Sequence, residues 1–450
     1  MKTIFISSFH PYISRNILST EAFSALLADP DLRVVLFVPS YKISYFRRMF
    51  AYPNLVVEGV LFPPASKDRR GLLFKRLAKY ALPSDSVRIE RYLKWRRDNR
   101  SFYFILLYML GVLGRFSFFR DALRALDYYL SVRDRYAFYF KKYRPDCVWV
   151  TDSQNERDVE LAQNARRFGA PVIGMVRSWD NLTLHGFLRF VPQFLLVTSP
   201  ELAREASELH GIPAERVRVV GVPHYDKYQQ DPQMTREKFF LKWNLDPSRP
   251  LILFTPIGDN YIPKNDTDPF LLELLEAQKV NILVRFSPTV PVRNLDNIRS
   301  SFGLAIDRPG VSFRPDEIRD QEMSPEDESN LISELFWCDL VVCGPSTIAL
   351  DAIFFDKPVI LAGAFHPRPR KWWEGAHRYQ YSHFKKVLEC RAAALPRDVS
   401  EFKLVSEAYL KNPSRDQEGR KCVRKMYISF GGGQAGIRLA NEIRKFLAGA

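Results

Sequence analysis

Residues 339–361 read DLVVCGPSTIALDAIFFDKPVIL. The apolar run Leu340–Cys343 is the length of a buried strand. Gly344-Pro345 breaks it. Ser346-Thr347 then opens a helical stretch that closes at Asp356-Lys357-Pro358, just before a second run, Val359–Leu361. Strand, turn, helix and strand in that order make one unit of a parallel α/β fold. The same turn carries chemistry. The first turn of a helix leaves backbone N–H groups unpaired and bears partial positive charge. Gly344, Ser346 and Thr347 therefore form a candidate seat for a phosphate or diphosphate. Asp351 stands one turn deeper than Thr347, where a carboxylate can accept hydrogen bonds from ribose hydroxyls. The plainer reading is a capping Ser346 and a solvated Asp351.

Outward from this segment the same alternation repeats. Strand-like runs occur at Ile4–Ser7, Val34–Val38, Leu55–Val60, Cys147–Val150, Val172–Met175, Phe194–Val197 and Val217–Val220. Helical patterns such as 18–28 and 156–168 lie between them. A second set comprises Leu251–Thr255, Ile282–Arg285, Val311–Phe313, Leu340–Cys343 and Val359–Leu361. A polar, proline-bearing stretch separates the sets and puts the boundary near 225–235. The expectation is two Rossmann-like halves, 1–228 and 229–433, with a closing helix over 434–450 and a helical insertion over about 65–145 in the first half. Two such halves suggest a cleft between them, with ligand at the carboxyl ends of the strands.

The chain has 450 residues and a formal net charge of +15. Residues 41–150 hold 23 Lys+Arg against 9 Asp+Glu, so this block carries +14 and the remainder +1. The block also holds 25 of the 61 aromatic residues. Within it, Phe102 to Gly114 is an uncharged run of 13 residues, short of the roughly 20 a helical span requires. It suits a helix lying in a membrane interface or one buried in a core. Nucleic acid is disfavoured because no helix-turn-helix, zinc or RNA-binding signature occurs. The first residues, MKTIFISSFHPYIS, have too short an apolar stretch for a signal peptide. The expected location is cytoplasmic, peripheral on the inner face of the membrane.

Five cysteines without dense spacing exclude a disulfide scaffold, and Cys338 and Cys343 read as core thiols. The sequons at Asn181 and Asn265 read as chance matches without secretion. Asp29-Pro-Asp31 and Asp266-Thr-Asp268 read as turns or caps, and no metal or other cofactor is expected. His10, in the loop after the first strand, is a candidate general base. Asp180 is its rival, and His185 on the same loop is a weaker choice. Arg285 is a candidate cation for the donor phosphates. Gly258, in the loop after Leu251–Thr255, would let backbone approach a diphosphate. The cluster from His366 to Trp373 reads either as a basic aromatic lip or as a structured loop.

The pattern Ser346-Thr347-x-x-x-Asp351, followed by Asp356-Lys357-Pro358-Val359-Ile360, resembles the donor-binding segment of GT-B glycosyltransferases. It is most similar to the CDP-glycerol glycerophosphotransferase family. Gly221-Val-Pro223-His224-Tyr-Asp226 resembles that family's G-x-P-R-x-D, and Gly433-Gln-Ala435-Gly-Ile-Arg438 its G-x-A-x-x-R. Arg177-Ser-Trp179-Asp180-Asn181 stands where the family has a Trp-centred loop. Arg285-Phe286-Ser287-Pro288 stands where it has Arg-x-His-Pro. The resemblance covers roughly 145–450.

It implies a metal-independent enzyme that moves a glycosyl group from a nucleotide-diphosphate donor to a lipid-linked or polymeric acceptor in surface glycan synthesis. Gly258, Arg285, Gly344, Ser346, Thr347 and Asp351 would hold the donor. His10 or Asp180 would serve as base, and Arg177, Trp179 and Asn181 would face the acceptor. The alternatives are CDP-dependent polyol-phosphate transfer, a UDP-sugar 2-epimerase of the same fold, and a non-enzymatic membrane scaffold.

Overall fold

In the computed structural model, which describes residues 1–63, 68–98, 100–131, 134–232, 234–262, 265–314, 320–366, 376–429 and 433–449, the strands form two sheets. The first contains β1 (Lys2–Ser7), β2 (Leu32–Pro39), β3 (Leu55–Val60), β4 (Cys147–Val150), β5 (Val172–Met175), β6 (Phe194–Val197) and β7 (Val217–Val219). Its order is β3-β2-β1-β4-β5-β6-β7, and every ladder is parallel. The second contains β8 (Leu251–Thr255), β9 (Asn281–Arg285), β10 (Leu304–Asp307), β11 (Leu340–Cys343) and β12 (Val359–Leu361). Its order is β10-β9-β8-β11-β12, again parallel. The chain divides into two compact units, Met1–Lys227 with Tyr427–Ala450, and Tyr228–Met426.

Burial on both faces explains why the strands read as unbroken apolar runs. In β1, Ile4 and Ile6 join one core of the first unit, while Phe5 points into the other. The neighbours repeat this split: Leu36 and Trp149 lie with Ile4, and Phe37 and Val148 with Phe5. The register is fixed accordingly, with Ile4 beside Val34 on one side and Cys147 on the other.

The end of the chain returns to the first unit. The helix Ala435–Gly449 places Leu439, Ala440, Ile443 and Leu447 in the β1 core. The Asp226 carboxylate accepts the Ala435 and Gly436 N–H groups at 3.1 and 2.8 Å. This is an acidic cap on a helix N-terminus. It joins the two motifs around Gly221 and Gly433 through one carboxylate.

Between β3 and β4 run the helices Arg69–Ala81, Asp85–Asp98, Ser101–Leu113 and Ser117–Ser131. They gather around a small core of Ala78, Ala81, Leu82, Val87 and Phe187. No single helix among the described residues is long and apolar enough to cross a membrane.

One expected strand is displaced. Val311–Phe313 forms no strand; Val311 makes only an isolated antiparallel bridge to Glu322. The edge strand is Leu304–Asp307, which pairs with β9. Its one-sided burial gives it a half-polar sequence that hides it from an apolar-run search. Cys338 and Cys343 are buried thiols, pushed up to about 12 by burial. Cys390 and Cys422 are joined, their Cα atoms 6.0 Å apart. In a reducing compartment the two would stand as adjacent thiols.

Candidate functional site

In both all-parallel sheets the order of strand connection reverses at one place. In the first unit the reversal lies between β1 and β4, in the second between β8 and β11. Ligands of doubly wound sheets bind beyond the carboxyl ends of the strands at such a point.

In the first unit, β1 leads to His10, β4 to Asp152, and β5 to Arg177, Asp180 and Asn181. Asp152, which motif reading missed, organises the group. Its carboxylate accepts the Arg177 Nε–H at 2.7 Å and an Asn181 Nδ2 hydrogen at 3.3 Å. Burial opposes its ionisation, but Arg177 and then His10 outweigh that, so the carboxyl is held below its ordinary range. Arg177 likewise resists burial through Asp152 and Asp180 and stays charged. Asp180 faces His185, with Oδ2 3.6 Å from Nε2, and keeps a quarter of its side chain exposed.

A second carboxyl lies beneath. The Ser7 hydroxyl donates to Asp158, the Thr151 N–H donates to Ser7 Oγ at 3.0 Å, and the Thr151 hydroxyl donates to the Ser7 carbonyl at 2.8 Å. Burial, and then the Asp152 charge, push Asp158 up to about 8. It holds its proton at neutral pH.

His10 is altered by these surroundings. Burial and the Arg177 charge press its imidazole down to about 3. Its Nδ1 accepts the Tyr12 N–H at 3.2 Å. The neutral ring therefore carries its proton on Nε2 and acts as a donor. That changes its expected role, since a base this weak is poorly matched to neutral pH. Trp179 also departs from its acceptor-facing assignment. It is 6% exposed and packs edge-on against Tyr427 at 5.2 Å between ring centres. Asn181 is fully buried and serves Asp152.

In the second unit, Gly344 follows β11 at a point where a Cβ would meet the Ile257 backbone at 3.0 Å. Ser346 and Thr347 then lead into the helix Ile348–Phe354. Neither hydroxyl has a partner among the described residues. Asp351 lies deeper and is buried, accepting the Tyr228 hydroxyl at 3.0 Å. Gly258 adopts φ +86°, and a Cβ there would strike Val290. Its N–H and that of Ile257 donate to Asp268 at 2.9 and 2.8 Å. Those amides are thus spent inside the protein, which differs from their expected approach to a diphosphate. Burial, against those donors, pushes Asp268 up to about 6.

Arg285 stands apart from the β8–β11 turn. Its guanidinium is buried, pairs with Asp307, reaches Glu334 at 2.9 Å and donates to the Asp327 carbonyl at 3.0 Å. Its donors are already taken by Asp307, Glu334 and the Asp327 carbonyl, so the expected role as a phosphate cation gives way to a structural one. His366 meets the Thr267 hydroxyl oxygen at 2.6 Å, and residues 367–373 lie outside the described residues. Asp29 accepts the Asp31 N–H at 3.0 Å, forming a turn.

The two sheets and their order define the two-Rossmann-domain, GT-B fold. Known structures share it over the whole chain. The UDP-GlcNAc 2-epimerase from Neisseria meningitidis, bound to UDP-GlcNAc, aligns with a TM-score of 0.53 at 11% identity, covering 99% of this chain and 100% of that one. The S. aureus MnaA–UDP co-structure aligns at 0.54 and 13%, covering 100% and 97%. The sucrose-phosphate synthase of Thermosynechococcus elongatus aligns at 0.53 and 12%, covering both chains fully. No family model matches the chain, and no curated protein matches it in sequence.

Proposed function

We propose that the chain is a glycosyltransferase that moves a sugar from a nucleotide-diphosphate donor to a hydroxyl of a lipid-linked or polymeric glycan acceptor. The reaction runs on the cytoplasmic side of the membrane without a metal. The turn Gly344–Thr347 at the β8–β11 switch point carries this reading: two hydroxyls without partners among the described residues stand at the place where such sheets take ligands. In this reading the second unit takes the donor diphosphate on Ser346 and Thr347. The first unit supplies Asp180 as base, oriented by His185, and His10 Nε2–H as a donor to substrate oxygen. The acceptor oxygen bonds to the anomeric carbon, its proton passes to Asp180, and the bond to the diphosphate breaks.

A second reading has support in Asp152, a buried carboxylate beside His10 that sequence motifs did not reveal. Carboxylates there suit proton removal and return in a UDP-sugar 2-epimerase. Thermal melts with UDP, CDP, GDP and their sugars test the donor assignment. One nucleotide class is expected to raise the melting temperature; no response to any would overturn it. Product analysis then separates the readings. Transfer is expected to disappear in Asp180→Asn while nucleotide stabilisation persists, and interconversion of a sugar epimer without acceptor would favour the epimerase.

A further inference from the structure

The helices Ser101–Leu113 and Ser117–Ser131 turn their apolar sides outward. In the first helix, Leu107 and Gly111 are buried, while Phe102, Ile105, Leu106, Met109, Val112 and Leu113 are exposed. Those six recur at three- and four-residue steps, so they form one face. Phe102 is 82% exposed. In the second helix, Phe118, Leu126, Tyr129 and Leu130 are exposed, Tyr129 by 78%. An amphipathic helix normally buries such a stripe.

The inner side is fixed by close packing, so this orientation is built in. A Cβ on Gly111 would strike the Arg91 guanidinium, and one on Gly114 would strike the Ala81 carbonyl oxygen. Arg91 is buried and donates to the Tyr80 and Leu82 carbonyls at 3.1 and 2.8 Å.

Charge says what covers the face. Ser101–Leu113 contains no charged residue. Arg96, Arg97 and Arg100 precede it and Arg115 follows it, all exposed. A second copy laid on this face would set basic ends against basic ends. An anionic lipid surface satisfies the apolar centre and the basic ends together. The helix is 13 residues long, about 20 Å at 1.5 Å per residue, which is short of the roughly 30 Å hydrocarbon layer. The next helix bends away from it by 107°.

We propose that the outward face of these two helices docks the first unit onto an anionic phospholipid surface, seated in the interface without crossing it. This deepens the transferase reading by naming the surface on which its acceptor lies, and it rests on the first unit alone.

Flotation of the full chain with vesicles tests it, using phosphatidylcholine alone and phosphatidylcholine mixed with phosphatidylglycerol. Binding is expected on the anionic vesicles, at least about tenfold weaker on the neutral ones, and weaker as salt rises. The triple variant Phe102→Ser, Met109→Ser, Leu113→Ser is expected to lose about a hundredfold in affinity. The triple variant Arg96→Glu, Arg100→Glu, Arg115→Glu is expected to lose about tenfold or more. All six side chains are exposed, so both variants should melt like the parent. Failure of the parent to float with either vesicle overturns the proposal, as does binding that both variants retain. A dimer in light scattering that the serine variant abolishes, without vesicle binding, also overturns it. Melting with UDP, CDP and GDP on the same samples keeps the two readings apart: a nucleotide response without flotation sinks the docking alone, and flotation without a response to any of the three sinks the donor assignment alone.

Discussion

At the carboxyl end of the seven-stranded sheet, the turns after β1, β4 and β5 carry His10, Asp152, Arg177 and Asp180. At the same end of the five-stranded sheet, the turns after β8 and β11 carry Gly258, Gly344, Ser346 and Thr347. The strand order around the two switch points is the same, so topology does not set the chemistry. The first turn set is a charged network around the buried Asp152–Arg177 pair, with Asp180 at its partly exposed margin. The second is backbone and hydroxyl, and Arg285, at the end of β9, is committed to Asp307 and Glu334. Fixed buried charge suits moving a proton, whereas a helix start whose hydroxyls have no partner among the described residues suits holding an anion.

The largest test of this contrast is stability. Asp152→Ala would leave Arg177 buried without its nearest carboxylate. Breaking a buried pair in this way costs about 3–5 kcal/mol. A drop of that order in chemical denaturation is expected, and a variant that unfolds with the parent would show the network to be solvated. Arg285→Ala belongs to the same class, because it leaves Glu334 and Asp307 facing each other in the core.

The next test is pH. Asp158 is raised to about 8, against about 4 for an unfolded Asp. Between those values the folded chain holds a proton that the unfolded chain has released. Stability from this group is full below about 4 and falls as pH rises toward 8. Asp158→Asn, which keeps the hydrogen-bonding shape, should flatten that limb by an amount on the order of a few kcal/mol. His10 works in the opposite sense. Held at about 3, it stays neutral in the fold while the unfolded ring takes a proton below about 6.5. His10→Gln should therefore protect the chain on the acid side. Melting temperatures from pH 4 to pH 8 read both, and parallel curves for variants and parent would reject the buried network.

Legibility followed burial. Strands covered on both faces announce themselves as apolar runs, which is why β1, β4, β8 and β11 stand out. Leu304–Asp307 does not, because an edge strand with one wet face keeps polar residues. Strand-end position marked His10, and the same signal at Val150-Thr151-Asp152 marks a carboxylate that no motif spelled out. Direction was not legible. Nothing in the sequence says that Trp179 turns inward to Tyr427, or that Asp268 draws in the Gly258 amide. Nor does local spacing reveal that Asp226 caps a helix some 210 residues later. The basic aromatic block was visible as composition, but only the packing at Gly111 and Gly114 decides which of its sides faces water.

The smallest expected effect on stability is also the sharpest for function. Ser346→Ala and Thr347→Ala each remove a hydroxyl that holds nothing among the described residues. Surface changes of this kind usually stay within about 0.5 kcal/mol. A hydrogen bond to a charged oxygen contributes roughly 1.5–3 kcal/mol, so each variant should weaken nucleotide diphosphate binding by about tenfold or more. The double variant should thus melt like the parent alone and lose most of the nucleotide-dependent rise. Titration with the stabilising nucleotide measures this directly. Stability lost with affinity kept would mean that the hydroxyls cap their own helix, and the anion seat would then have to be sought elsewhere in the second unit. Asp152→Ala should behave in reverse, losing stability while the nucleotide response of the second unit persists in whatever fraction stays folded. The two outcomes together decide whether the switch points are divided between proton chemistry and anion binding.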